Sequence, residues 1–171
     1  ILPVNPTENA SPESLRGFLD QCRTRAREAG RPRLVSISLA VDQLDPLAVL
    51  ESIFEADQLH FYAERPAQGF AVAGAEAALE FTATGPDRFR QARERIASVL
   101  ADAIAVGPLA EAFAGPHFFF ANAFAPTVPE AAPFPALRWF VPRWQVARLG
   151  DGTVAVANLV ITPDAPVDLM A

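Results

Sequence analysis

Lysine is absent from this 171-residue chain: all fourteen basic residues are arginine. Chemistry that relies on a lysine base or a Schiff base is therefore outside its reach. Cysteine is almost as scarce. Cys22 stands alone, so no internal disulfide forms, which fits a reducing compartment. The two histidines, His60 in LHFYAE and His117 in GPHFFF, have no cysteine or second histidine at metal-ligand spacing. No apolar run approaches the roughly 20 residues of a membrane span. ILPVNPTENA lacks the charged start and apolar centre of a secretion signal. A net charge of −6 and a pI near 4.9 argue against a general nucleic-acid surface. The expectation is a cytoplasmic protein with neither membrane nor nucleic acid as partner.

What is present is enough for one domain. A chain of this size buries roughly 70% of its unfolded surface, and 51% of the residues are hydrophobic. Residues 1–10 are polar and proline-bearing and read as a flexible tail. Residues 11–162 read as a single α+β domain, and residues 163–171 as a tail or the start of a linker. SPESLRGFLDQCRTRAREAG has the marks of a helix: Ser11 as N-cap, Pro12 at the first helical position and Gly30 as stop. Leu15, Phe18, Leu19 and Cys22 form its apolar stripe, leaving Arg16, Arg23 and Arg27 on a solvated face. RLVSISLAVD alternates Leu34, Ser36, Ser38 against Val35, Ile37, Leu39 and predicts a half-buried strand. DPLAVLESIFEA predicts a second helix with Asp45 as cap and Pro46 behind it, and LHFYAER a strand.

QGFAVAGAEAALEFTAT reads as two short strands breaking near Gly74. TGPDRFRQARERIASVLADAIAVG reads as a third helix from about Pro86, with Phe89, Ala92, Ile96, Val99, Leu100 and Ala103 on one face. HFFFANAFAP predicts a strand, and Asp151-Gly152 a tight hairpin turn between two long apolar arms. Pro142 in the first arm implies an edge position or a bulge. The whole predicts α+β with a mainly antiparallel β-sheet and about three helices.

Little in these residues carries chemistry. Asp42, Asp45, Glu51, Glu55 and Asp57 cluster around the second helix, but such a face is usually just wet. The basic neighbourhood DQCRTRAR is of the kind that lowers a thiol pKa, but with neither histidine nearby in sequence Cys22 reads as a half-buried helix cysteine. No G-x-S-x-G, Gly-rich phosphate loop or H-E-x-x-H is present. No catalytic, cofactor-binding or metal-binding residue is assigned in this chain.

The order of segments carries more. LVSISLAVDQLDPLAVLE, then HFYAERPAQGFAVAGAEAALEFTATGPDRFRQA, GPHFFFANAFAP and FPALRWFVPRWQVARLGDGTVAVANLVI resembles the N-terminal part of isochorismate synthases. The likeness is greatest to those of menaquinone and phylloquinone biosynthesis, in the chorismate-binding superfamily. It covers roughly residues 33 to 162. Its most specific pieces are Gly85-Pro86-Asp87-Arg88-Phe89 and Phe140-Val141-Pro142-Arg143-Trp144. This sequence departs from many relatives where Phe118-Phe119-Phe120 replaces an aromatic-Gly-Gly, and at Glu76, near which relatives carry glycine. Siderophore-type isochorismate synthases and salicylate synthases stay open as alternatives.

The resemblance implies the N-terminal part of the chorismate-binding fold, with catalysis in a half that follows it. There a lysine activates water, a glutamate acts as acid, and further glutamates hold the Mg²⁺ that binds the substrate. None of those motifs occurs here, so the chain alone is expected to be a non-catalytic fragment. Its partner would be the C-terminal domain of the same polypeptide, with chorismate bound through that domain. The hairpin's uncovered face (Trp139, Val141, Trp144, Val154, Val156 and Leu159) is expected to be partly exposed and to invite self-association. The alternative is a stand-alone binding or interaction module.

Overall fold

The computed structural model describes residues 12–166. The proposed Ser11 cap, the 1–10 tail and the last five residues, 167–171, lie outside that range. Three helices, α1 (Pro12–Ala29), α2 (Pro46–Ile53) and α3 (Arg88–Asp102), flank a seven-stranded sheet. Its strands are β1 (Arg33–Val41), β2 (His60–Arg65), β3 (Phe70–Ala83), β4 (Ile104–Val106), β5 (Phe119–Asn122), β6 (Leu137–Leu149) and β7 (Gly152–Ile161). They lie in the order β2-β3-β6-β7-β1-β4, with β5 paired to β6 off that path. Every pairing is antiparallel except β1 with β4. The α+β, mainly antiparallel expectation holds. No helix among the described residues is long and apolar enough to cross a membrane.

Side-chain alternation along the strands places α1 and α3 on opposite faces. Val35, Ile37, Leu159 and Ile161 meet Phe18, Leu19 and Cys22 of α1. Leu34 and Val160, their immediate neighbours in sequence, point the other way into a core with Ala92, Ile96 and Val99 of α3 and with Trp139 and Val141. The smaller helix α2 sets Leu50 and Ile53 on Ala73 and Ala75 of β3. Its start is secured as the sequence implies, with Asp45 Oδ1 accepting from Leu47 N at 2.9 Å.

Several elements differ from the sequence reading. The third helix starts at Arg88 rather than Pro86, because Gly85 takes a left-handed φ of +88° and Pro86-Asp87 form a turn. It ends at Asp102, and the β-branched Ile104 and Val106 turn inward as a strand that was read as helix. Phe89 and Leu100, placed on its apolar face, are exposed. Residues 70–83 form one strand, not two. Gly74 does not break it: a Cβ there would stand 3.0 Å from the Pro142 ring and 3.3 Å from Phe119, so glycine is what lets β3 lie flat against β6. The irregularity falls three residues later, in a bulge between Ala77 and Leu79 opposite Pro142, the bulge that the proline implied. Glu76, with φ of +56°, provides the bend. That left-handed backbone is one that glycine adopts without steric cost.

The aromatic run at 118–124 yields only the short β5. Ser36 and Ser38, read as the wet side of β1, are fully buried. The hairpin is the largest correction. β6 lies between β3 and β7, and β7 between β6 and β1, so both arms are paired within the chain's own sheet. Trp139, Val141, Val154 and Val156 are buried by the chain itself, and only Trp144 of the expected face is substantially exposed. The face on which the self-association expectation rested is thus mostly covered by the chain itself.

The two arms also part company. β7 pairs with β6 only from Trp144 to Leu149, and β5 takes its place beside Leu137–Phe140. Asn158 of β7 sits in this fork and donates to Pro142 O at 2.7 Å. Residues 163–165 return along α1, where Arg27 Nε donates to Pro163 O at 2.7 Å and Arg23 Nη1 to Ala165 O at 3.3 Å. Two of the three arginines assigned to a solvated face are thus clasps on the segment after β7.

Candidate functional site

The titratable residues noted in the sequence do not converge. His60 stands edge-on to Phe54 at 4.7 Å, its Nδ1 3.2 Å from Gln58 O. His117 lies across the sheet, 3.1 Å from Gly115 O and 3.5 Å from Gln145 Nε2. Asp42, Asp45, Glu51, Glu55 and Asp57 are all exposed, and Asp45 is committed to capping α2. Among the described residues, no three His, Cys, Asp or Glu side chains come together as a metal-ligand group.

Cys22 lies where the apolar stripe of α1 put it. It is fully buried between α1 and the sheet. Burial pushes its thiol up to about 11 from an ordinary 9.0, outweighing the opposite pull of Arg25. The native thiol should therefore resist a disulfide reagent at pH 8 and react fully only after denaturation. Because the raised value penalises the thiolate in the folded state alone, stability should be level below about pH 9 and fall as pH rises towards 11. Rapid labelling of native protein at pH 8 would contradict the burial.

What the sequence did not disclose is a polar seam inside the sheet. Ser36 and Ser38 of β1 share a face with their register partners Asn158 and Val156 of β7, and Val156 stands beside Gln145 of β6. Ser38 Oγ accepts from Gly115 N at 2.8 Å, and Gln145 Nε2 donates to Phe113 O at 3.0 Å. These two bonds fasten the 107–118 connection over the sheet. Ser36 Oγ, Gln145 Oε1 and Asn158 Oδ1 remain buried without a protein partner. No serine in the seam is hydrogen-bonded to a histidine or carboxylate, so it lacks the nucleophile–base contact of covalent catalysis. The one legible sign was a pair of serines at alternate positions in an otherwise apolar strand.

On the opposite face, beside α2, an apolar groove of about 220 Å³ opens between Leu39, Ile53 and Trp144. No charged side chain lines it, so it offers contact area and no acid–base chemistry. The two pieces that carried the family resemblance prove to be packing devices. Arg88 is buried, with its guanidinium donating to the carbonyls of Gly85, Ala123 and Phe124 and lying 4.4 Å from the Phe89 ring. It ties the start of α3 to the segment after β5. Pro142 occupies the bulge, and its carbonyl receives Asn158 at the fork.

Among the described residues the conspicuous polar groups serve packing and loop anchoring. Residues 18–171 match the family model described as chorismate binding enzyme, and the chain belongs to that family. Over 102 residues, 60% of this chain, it is 34% identical to the salicylate biosynthesis isochorismate synthase of Pseudomonas aeruginosa. That match takes in 21% of the relative, so the chain spans about a fifth of its length.

Proposed function

We propose that this chain is the N-terminal structural domain of an isochorismate synthase and does not isomerise chorismate by itself. The observation that carries the reading is the family match from residue 18 to 171 together with identity to an isochorismate synthase. Moving a hydroxyl around the chorismate ring needs a base for water and an acid for the departing group. This chain has no lysine for the base, and its two histidines are not hydrogen-bonded to a carboxylate. The Mg²⁺ implied by the resemblance finds no converging ligand set among the described residues, so no step is assigned to it here.

The partner in this reading is the remaining region of a longer polypeptide, and the groove at Trp144 is the apolar surface available to it. As to pathway, the salicylate-biosynthesis relative favours that destination over the menaquinone or phylloquinone one. A cytoplasmic setting accords with the single buried cysteine. One observation favours the alternative, a stand-alone binding module: the hairpin is buried in the chain's own sheet instead of awaiting cover.

Chorismate turnover with Mg²⁺, followed by separation of isochorismate, tests the reading. The 171-residue chain should give none above the uncatalysed background. A polypeptide extended through the region matching the rest of the relative should give product. Isochorismate from the short chain alone overturns the proposal, and a coding frame that stops after Ala171 favours the binding module.

A further inference from the structure

Where the last turns of α3 cross the start of β1, a cleft of about 170 Å³ brings together three arginines and one carboxylate. Arg31, Arg33 and Arg95 line it with Asp102, over a floor that includes Leu34, Leu79 and Val160. Asp102 is already matched: its Oδ2 lies 2.6 Å from Arg31 Nη2. Arg33 is held in place from the same residue, 3.8 Å from Oδ1 and donating to the backbone carbonyl at 3.2 Å. Its Nε is buried and has no partner. Arg95, two turns before Asp102 on α3, makes no hydrogen bond or ion pair with any described residue. Against an anion stand the Asp102 charge and the negative end of α3. Three guanidinium groups share one carboxylate, so the cleft keeps an excess of positive charge.

We propose that this cleft binds a small organic monocarboxylate, its anion held by Arg33 and Arg95 and its apolar body set on Leu34, Leu79 and Val160. Arginine suits the task because its planar fork matches a carboxylate with two parallel donors. Arg33 is fixed before any ligand arrives, which reduces the ordering cost of binding. The floor favours an anion with a ring or chain over a bare inorganic one, since burying apolar surface adds to the charge term. Phosphate has no apolar body to set on that floor and gains only the charge term. The volume is below the roughly 300–1,000 Å³ of sites for drug-sized ligands, so the ligand is correspondingly small. The site is independent of the proposed function and stands or falls apart from it.

The test is an amide-resolved NMR titration of the 171-residue chain with benzoate. Inorganic phosphate and benzyl alcohol serve as probes of charge alone and of apolar contact alone. Benzoate should cause saturable shifts confined to residues around Leu34, Leu79, Val99 and Val160, with phosphate weaker and benzyl alcohol not saturating. Arg95→Ala should weaken benzoate about tenfold, the usual effect of losing a hydrogen bond to a charged group. Arg95→Lys should recover part of that, as a point charge without the fork. Arg95 is exposed on its helix, so the variant should keep the dispersed spectrum of the folded chain. Unsaturable or scattered shifts with benzoate, equal affinity in Arg95→Ala, or phosphate binding as tightly as benzoate would each overturn the proposal.

Discussion

Replacing Gly107 by alanine is expected to cost about 4 kcal/mol or more and to leave little folded protein, which places it among the exceptional substitutions. Gly107 follows β4 with φ of +108°, a conformation that side chains rarely adopt. An added Cβ would stand 2.0 Å from Ser38 O and 2.8 Å from Ser38 C. Both are backbone atoms of a strand paired on either side, so neither has room to retreat. The same position starts the connection that Ser38 and Gln145 fasten over the sheet. Gly17→Ala is the control. Nothing lies within 4 Å of a Cβ on that helical glycine, so alanine there should stabilise by about 0.5–1 kcal/mol. Soluble yield and urea midpoints decide. A folded Gly107→Ala protein with an unchanged midpoint would mean that the backbone at β4 is placed differently.

Trp139→Ala should destabilise by about 3–5 kcal/mol. Its ring is fully buried, stacked at 5.4 Å on Phe81 and edge-on to Phe118 at 5.1 Å. It sits at the centre of the core beneath α3. Since domains are stable by about 5–15 kcal/mol, this loss is a large part of the total. Trp139→Phe should cost less than half as much. It keeps an aromatic ring in the stack and removes an indole Nε1 that is buried without a partner. Equal midpoints for the alanine and phenylalanine variants would show that the stack is not what holds this core.

Local chemistry made part of the fold legible. Pro12 and Pro46 mark the first residues of α1 and α2, and Asp151-Gly152 marks the turn between β6 and β7. At Pro86 the same sign is offset by two residues, since the left-handed Gly85 places the proline in a turn. The alternation in β1 was also readable, but its meaning was not. Serines normally face water, and the connection that covers them comes some seventy residues later. Burial of the hairpin was hidden for a similar reason. Its apolar arms reveal a need for neighbours, but β3 and β1, which supply them, are identified only by sheet order. For the candidate site, segment order exposed the family. Arg88 and Pro142 stood out as signatures, yet their work is to hold carbonyls and fill a bulge, which no local pattern announces.

The placement of β1 bears on how the protein is made. β1 pairs along its full length with β7, the last described strand, and the α1 clasp on the segment beyond it joins residues 142 positions apart. During synthesis from the N-terminus, LVSISLAV leaves the ribosome long before its main partner exists. At about 5–20 residues per second the wait is on the order of ten seconds. Throughout it, an apolar strand has only the three residues of β4 to pair with, and those too arrive late. Such a segment is open to other nascent chains. The yield of native protein should therefore depend on how quickly the ribosome delivers β7, and slow codons between the two strands should favour aggregation.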